Sequence, residues 1–167
     1  MKKITLYLLT LVFITACTGP RGPEGPPGEG SGVIGQTFEY EDIKFDYEPD
    51  FNMFSTLIDV PDEIEVLESD AILVYRLEID NGAETFSLIP QNFFLDEGTI
   101  QYVYNHTPSD IELIIDGDFD LSNLGTEFTD NQIFRFVVVP ADFANDPTIN
   151  IESFSELIDS GIEFEEF

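Results

Sequence analysis

The chain has 167 residues, 34 acidic side chains against six basic ones, and a formal net charge of −28. This length allows one folded domain with short appendages, and 43% hydrophobic residues with 16 phenylalanines exceed what a disordered acidic segment contains. So few cations exclude nucleic acid as a partner, because phosphate binding requires a basic surface. A single cysteine and a single histidine exclude an intramolecular disulfide and a histidine-rich metal site.

Residues 1–16 have the order of a secretory signal. Two lysines precede an apolar run over residues 6–14, and the small residues Thr15 and Ala16 follow it. The run is too short to span a bilayer as a helix of the mature protein. The sequence therefore predicts that residues 1–16 are a signal peptide.

Cys17 indicates the class of this signal. Residues 14–17, Ile-Thr-Ala-Cys, resemble the lipobox of bacterial lipoproteins. That resemblance implies cleavage before Cys17, a diacylglyceryl group on its thiol and an acylated N-terminus. Two or three acyl chains anchor a protein stably to a membrane. The alternative is an ordinary signal peptide whose apolar run ends beside a cysteine.

Thr18 bears on the destination of the lipoprotein. By resemblance to the enterobacterial sorting rule, the lack of aspartate at this position favours the outer membrane. We therefore expect a lipid-anchored protein of the cell outer membrane. The choice between its surface and its periplasmic face stays open.

A Gly/Pro-rich spacer is predicted over residues 17–32. Within residues 19–30 glycine recurs at every third position, as in collagen, because only glycine fits at the axis of a triple helix. So short a collagen-like tract would support weak trimerisation, dependent on the folded domain or on crowding at the membrane. The preferred interpretation is an extended spacer of roughly 37 Å.

The stretch Gly30-Ser31-Gly32-Val33-Ile34-Gly35 matches the dinucleotide-binding pattern G-x-G-x-x-G. That pattern has its function only between a buried strand and the N-terminus of a helix. Here a Gly/Pro spacer precedes it, and residues 36–40 alternate as a strand does. We interpret the match as a product of glycine density and predict no dinucleotide-dependent dehydrogenase.

Residues 33–167 are predicted to form an all-β domain, an acidic antiparallel β-sandwich of immunoglobulin-like or similar type with about seven to nine strands. The clearest signal is Asn81-Gly82 between residues 71–80 and 83–89, because Asn-Gly favours the type I′ turn of a hairpin. The predicted register places one apolar and one mostly polar face on the hairpin. On the apolar side Tyr75 faces Leu88, Leu77 faces Phe86 and Ile79 faces Glu84. On the mostly polar side Arg76 faces Ser87 and Glu78 faces Thr85.

The same period of two predicts the remaining strands. They are a hairpin of residues 92–95 and 99–105 around Asp96-Glu97-Gly98, and strands near residues 37–47, 51–59, 111–115 and 132–139. One short C-terminal helix is expected over residues 153–160, with a Ser153/Glu156 capping box and Gly161 as its stop. Its predicted buried side carries Phe154, Leu157 and Ile158. A turn is expected at residues 141–145.

With these features the whole chain resembles a recurrent type of small lipoprotein in Bacteroidota. The lipobox, the short collagen-like tract and the acidic, phenylalanine-rich β domain carry the resemblance. It implies location and architecture, and it assigns no activity or binding site.

Asp116, Asp118, Asp120 and Glu127 have the spacing of positions 1, 3, 5 and 12 of a calcium-binding loop. They are the candidate metal ligands, and calcium is the one cofactor considered for this chain. Leu121, however, occupies the position where the sharp turn of such a loop requires glycine. In so acidic a chain, a polar turn at a strand end is the preferred alternative.

Catalytic candidates are scarce, since His106 lies in a predicted turn and nothing places a nucleophile beside a base. We predict a non-enzymatic, lipid-anchored envelope protein that presents its acidic domain for structural or adhesive interaction with an unknown protein or polysaccharide. The alternative is a calcium-dependent carbohydrate-binding or hydrolytic accessory module that uses strand-end carboxylates and tyrosines. Tyr102 and Tyr104 are the tyrosines considered, although their strand positions favour a core role.

Overall fold

Two five-stranded β-sheets face each other across a hydrophobic core in the computed structural model, which describes residues 34–80, 82–159 and 163–167. Several predictions concern residues outside these ranges. They are those for the signal peptide, Cys17, the Gly/Pro spacer, residues 30–33 of the glycine pattern, Asn81 and Gly161.

The strands follow the chain in this order: β1 (Ile34–Ile43), β2 (Asp46–Glu48), β3 (Met53–Asp59), β4 (Asp70–Asp80), β5 (Ala83–Leu88), β6 (Gln91–Phe94), β7 (Thr99–His106), β8 (Asp110–Gly117), β9 (Gln132–Pro140) and β10 (Glu163–Glu166). The first sheet has the order β10-β1-β9-β4-β5, and the second has the order β2-β3-β8-β7-β6. Short helices are α1 (Thr126–Thr129), α2 (Ala141–Ala144) and α3 (Phe154–Asp159), and a 3-10 turn covers Leu121–Asn123. Among the described residues, no helix is long and apolar enough to cross a membrane.

The all-β sandwich prediction is confirmed, and the edge strand β10 adds a feature that it lacked. This strand pairs with β1 in parallel, whereas the other strand pairs are antiparallel. Parallel strands cannot be joined by a short hairpin, and β1 and β10 are the first and last strands of the domain. The segment that contains α2 and α3 carries the chain from β9 to the far side of β1, where β10 pairs. The period of two predicts strands but carries no information about the direction of such an edge pairing.

The predicted strand near residues 37–47 is divided between the two sheets. β1 has an irregular register between Tyr40 and Ile43, with Asp42 at a positive φ of 56°. The chain then leaves the first sheet and enters the second as β2. Gly35 itself belongs to strand β1, which continues to Ile43, whereas a dinucleotide-binding loop requires a helix at this point.

The β4–β5 hairpin has the register predicted from its turn, from Tyr75 opposite Leu88 to Asp80 opposite Ala83. Gly82 has φ of 84°, as a type I′ turn requires. The expected polar face is corrected by the structure, because Arg76 on that face is only 8% exposed. This side of β4 faces the sandwich interior. The other side is covered by residues 141–159, which we call the C-terminal segment.

Two clusters of buried side chains result from this arrangement. The central core lies between the sheets and includes Phe136 of β9 and Leu113 of β8. The outer core lies on the opposite face of the first sheet, where Tyr75 and Val137 pack with Phe154 and Leu157 of α3. β7 and β8 instead alternate buried and more exposed residues, as a sheet with one face toward water does.

Helix α3 confirms the predicted C-terminal helix, and α2 occupies the predicted turn. Phe154 and Leu157 are buried, but Ile158 is exposed, so its assignment to the buried side is wrong. The Glu156 carboxylate accepts a hydrogen bond from the Asn150 side-chain amide. Helix α3 is therefore held in the outer core by the side chains of Phe154 and Leu157.

Candidate functional site

A cleft of about 600 Å³ opens at one end of the sandwich, between the β6–β7 turn and the connection from β8 to β9. We call it the acidic cleft. Clefts beside Arg76 and beside Arg135 hold about 440 and 220 Å³. The acidic cleft therefore has a larger volume than the clefts beside the two arginines.

Aromatic and aliphatic side chains line this cleft, and carboxylates accompany them. Phe94 is 83% exposed, which is unusual for so large an apolar ring. The other apolar lining residues are partly buried: Leu95, Phe119, Leu124 and Phe128. The acidic lining residues are Asp96, Glu97, Asp120 and Glu127.

Asn52 fixes the first part of the β8–β9 connection. Its side-chain Nδ2 donates to the Phe119 carbonyl oxygen at 2.7 Å, and its Oδ1 accepts from the Leu121 backbone N–H at 2.8 Å. The Tyr47 hydroxyl donates to the same Oδ1 at 3.2 Å. Asn52 itself has φ of 53°, a left-handed conformation that asparagine tolerates better than most residues.

Tyr102 and Gln132 fix residues 127–130 of that connection from the side of the sandwich interior. The Tyr102 hydroxyl donates to the Phe128 carbonyl oxygen at 2.6 Å. The Gln132 Nε2 donates to the carbonyl oxygens of Glu127 and Asp130 at 2.9 and 2.8 Å. These buried donors position the cleft wall that carries Glu127 and Phe128.

The β6–β7 turn forms the opposite wall and depends on Gly98. The backbones of Leu95 and Gly98 exchange hydrogen bonds of 2.7 and 3.3 Å. Gly98 has φ of 155°, and a Cβ atom there would collide with the Asp118 carboxylate. That carboxylate accepts from the Thr99 backbone N–H at 2.7 Å, so it closes the turn.

The four candidate calcium ligands have separate roles in this region. Asp116 belongs to β8 and accepts from the backbone N–H of Gly117, Asp118 closes the β6–β7 turn, and Asp120 and Glu127 line the cleft. Asp116 pairs with Gln101 in the sheet, so the chain does not curl around a cation at this point. Among the described residues no three carboxylate, histidine or cysteine groups are arranged to hold a metal ion.

Asp120 caps the 3-10 turn, because its Oδ1 accepts from the Ser122 backbone N–H at 3.0 Å. Hydrogen bonds from the Ser122 backbone and then from its side chain hold the pKa of Asp120 below its ordinary value. At neutral pH this cleft residue is therefore a carboxylate anion.

The tyrosines and the histidine considered as site residues lie elsewhere. Tyr102 is buried in the central core, and the Tyr104 hydroxyl donates to the Ile72 carbonyl oxygen at 2.7 Å. The exposed His106 stacks on Tyr104 with ring centroids 6.3 Å apart. The two tyrosines thus serve the packing of the domain, as their strand positions favoured.

The sequence interpretation identified the Asp96-Glu97-Gly98 turn but did not predict the cleft beside it. Phe93 and Phe94 are consecutive in β6, so the alternation of a strand sends one ring inward and the other outward. That alternation was the available signal for Phe94. The approach of Phe119 and Phe128 depends on the β8–β9 connection, which has no regular period.

No known protein family matches this chain, and no curated protein or solved structure compared with it is significantly similar. Inferences about function therefore depend on the charge, exposure and geometry of its own residues.

Burial of the tyrosines predicts a loss of stability at alkaline pH. Burial is the main cause that raises the pKa of Tyr102 to about 12, from an ordinary value of 10.0, and it raises the pKa of Tyr75 as well. The unfolded chain therefore releases these protons at lower pH than the folded protein. We expect the free energy of unfolding to fall as pH rises from about 10 through 12.

Urea unfolding of wild type and Tyr102→Phe at several pH values measures this effect. At neutral pH the variant should lose about 1–3 kcal/mol, because the Phe128 carbonyl oxygen loses its buried donor. Its stability should then fall less steeply between pH 10 and 12 than that of wild type. Parallel alkaline profiles for the two proteins would contradict this assignment.

Proposed function

We propose that this protein is a non-enzymatic, lipid-anchored component of the cell outer membrane, whose acidic β-sandwich serves structural or adhesive interaction. The predicted signal peptide and Cys17 support the anchor, and the Gly/Pro tract supports a spacer between membrane and domain. The single observation that favours an interaction role is the exposed ring of Phe94 beside the acidic cleft. Contiguous apolar surface with a polar rim marks protein interaction sites, and here Phe94 adjoins the partly buried apolar residues of a cleft that carboxylates surround.

The charge of the domain supports the same proposal. Beyond the spacer the basic residues are Lys44, Arg76 and Arg135, whereas nearly all of the 34 acidic residues belong to the domain. Such a surface favours partners of positive charge and accelerates their association.

Lipidation predicts a clear result for Cys17→Ala. The variant should lose incorporation of an alkyne-labelled fatty acid completely and retain residues 1–16, because the thiol is the acylated group. The neighbouring variant Thr18→Ala should incorporate the label as wild type does. Mass spectrometry of the N-terminus gives the second readout; an unlabelled wild-type protein cleaved at another position would contradict the lipid anchor.

Protease shaving of intact cells tests whether the domain serves adhesion at the cell surface. Mass spectrometry detects the released domain, and a periplasmic protein serves as the control for an intact envelope. Release of the domain with a protected control would place the partner outside the cell. Survival of the domain until the envelope is broken would place the partner in the periplasm and would contradict surface adhesion.

A further inference from the structure

We propose that the acidic cleft binds an arginine-bearing segment of a partner polypeptide, with Phe94 and the carboxylates of the β6–β7 turn as its main contacts. This inference rests on the proposed interaction function and names the chemistry of the partner. It follows from how the domain accommodates its own two arginines.

Arg76 occupies a pocket of aromatic rings and a carboxylate inside the sandwich. Its guanidinium carbon lies 5.2 Å from the ring centroid of Phe93 and 4.7 Å from that of Tyr102. Its Nη1 lies 3.2 Å from Glu78 Oε1. Stacking on rings and pairing with a carboxylate are the interactions that a planar guanidinium makes best.

Arg135 has the same combination of neighbours on the outer face of the first sheet. Its guanidinium carbon lies 4.0 Å from the ring centroid of Phe86 and 4.5 Å from that of Phe154. Its Nη2 lies 2.6 Å from Glu39 Oε2. Both arginines of the described domain therefore combine two aromatic rings with one acidic partner.

The acidic cleft presents this combination without an arginine. Phe94, Phe119 and Phe128 supply rings, and four carboxylates lie around them, whereas none of the described residues that line the cleft is basic. Arg76 and Arg135 are already engaged elsewhere. Neither arginine of the described residues completes the cleft, and the proposal therefore assigns this guanidinium to a partner polypeptide.

The chemistry of the cleft also favours a polypeptide over a bare metal ion. The described carboxylates form no metal-binding group, and a cleft of about 600 Å³ with an exposed phenylalanine can contact the apolar stem of an arginine as well as its charge. Charge complementarity with a chain of net charge −28 supports the approach of such a segment.

The probe is a short fluorescein-labelled peptide in which arginines alternate with glycine and serine. Binding to the full-length lipoprotein in neutral detergent micelles is measured by fluorescence anisotropy at about 150 mM salt, which screens distant charges. A lysine peptide of equal charge and a citrulline peptide of similar shape are the matched ligands. We expect the lysine peptide to bind about threefold more weakly or worse, because ammonium lacks the planar fork, and the citrulline peptide to lose binding.

Two pairs of variants separate the cleft from general charge attraction. Phe94→Ala should weaken arginine-peptide binding about tenfold, whereas Leu57→Ala, at another exposed apolar residue, should change it less than about twofold. Asp96→Asn with Glu97→Gln should weaken binding about fivefold. Asp62→Asn with Glu63→Gln removes the same charge from another exposed Asp-Glu pair and should have little effect.

Equal losses in the cleft and control variants would overturn the cleft as the site, while the interaction function would stand on a general acidic surface. Equal binding of the arginine and lysine peptides would overturn recognition of the guanidinium. Calcium-dependent stabilisation that is lost in the Asp96/Glu97 variant, without peptide binding, would assign the cleft to a cation instead. Failure of the surface-adhesion role would appear separately, in the cell-shaving experiment.

Discussion

Replacement of Arg76 by alanine is expected to lower the free energy of unfolding by about 3 kcal/mol or more. Its Nε and Nη2 donate to Gln132 Oε1 at 3.0 and 2.8 Å in the sandwich interior. The substitution leaves this buried carbonyl oxygen without its donors and opens a space between Phe93 and Tyr102. Glu78 also loses its ion-pair partner, but it is partly exposed, so hydration of its carboxylate reduces the cost of that loss.

Arg76→Met is the matched control, because methionine keeps most of the apolar stem between the two rings. It should lose less stability than Arg76→Ala, and the difference measures the packing of that stem. Urea unfolding followed by circular dichroism gives both values. A loss below about 1 kcal/mol in the alanine variant would contradict the interior position of this guanidinium.

The Arg76 network also reaches the acidic cleft. Gln132 links the guanidinium to the backbone of Glu127, and Gln91 Nε2 donates to Glu78 Oε2 at 3.0 Å. The hydrogen bonds that stabilise the sandwich thus position one wall of the cleft. We infer that loss of Arg76 would weaken the binding site as well as the fold.

Leu157→Ala is expected to destabilise the domain by about 3–5 kcal/mol, as in other deletions of a fully buried leucine. Leu157 is 0% exposed and packs in the outer core. A helix as short as α3 has little stability of its own, so its position depends on this burial. The truncated side chain would leave a cavity between α3 and the first sheet.

Ile158→Ala provides the comparison within the same helix. Ile158 is 48% exposed, so its truncation should cost about 1 kcal/mol or less. Thermal and urea unfolding of both variants test the difference. Similar losses at the two positions would show that the C-terminal segment does not pack through Leu157.

The local sequence pattern predicted the structure correctly where contacts between residues close in sequence determine it. The Asn-Gly turn predicted the β4–β5 register because a two-residue turn aligns both strands. The period of two likewise predicted the buried side chains Ile111, Leu113 and Ile115 of β8. The anchor at Cys17 remains a prediction from the sequence alone.

The same reasoning misplaced residues whose surroundings come from distant parts of the chain. The alternation of the hairpin residues assigned Arg76 to a mostly polar face. Burial of a guanidinium requires partners that satisfy it, and its partner Gln132 is remote in sequence. The helical period placed Ile158 on the buried side of α3, because it defines a broad apolar face, and packing buries only part of that face.

The acidic charge, most strands and the β4–β5 register followed from residue order, since each depends on composition or on contacts between near neighbours. The export signal is also predicted from residue order alone. Packing of the two sheets and of the C-terminal segment decided which faces are buried, how β10 pairs and where the acidic cleft opens. Those features join side chains far apart in sequence. Their positions depend on the free energy of the assembled core, which no local period encodes.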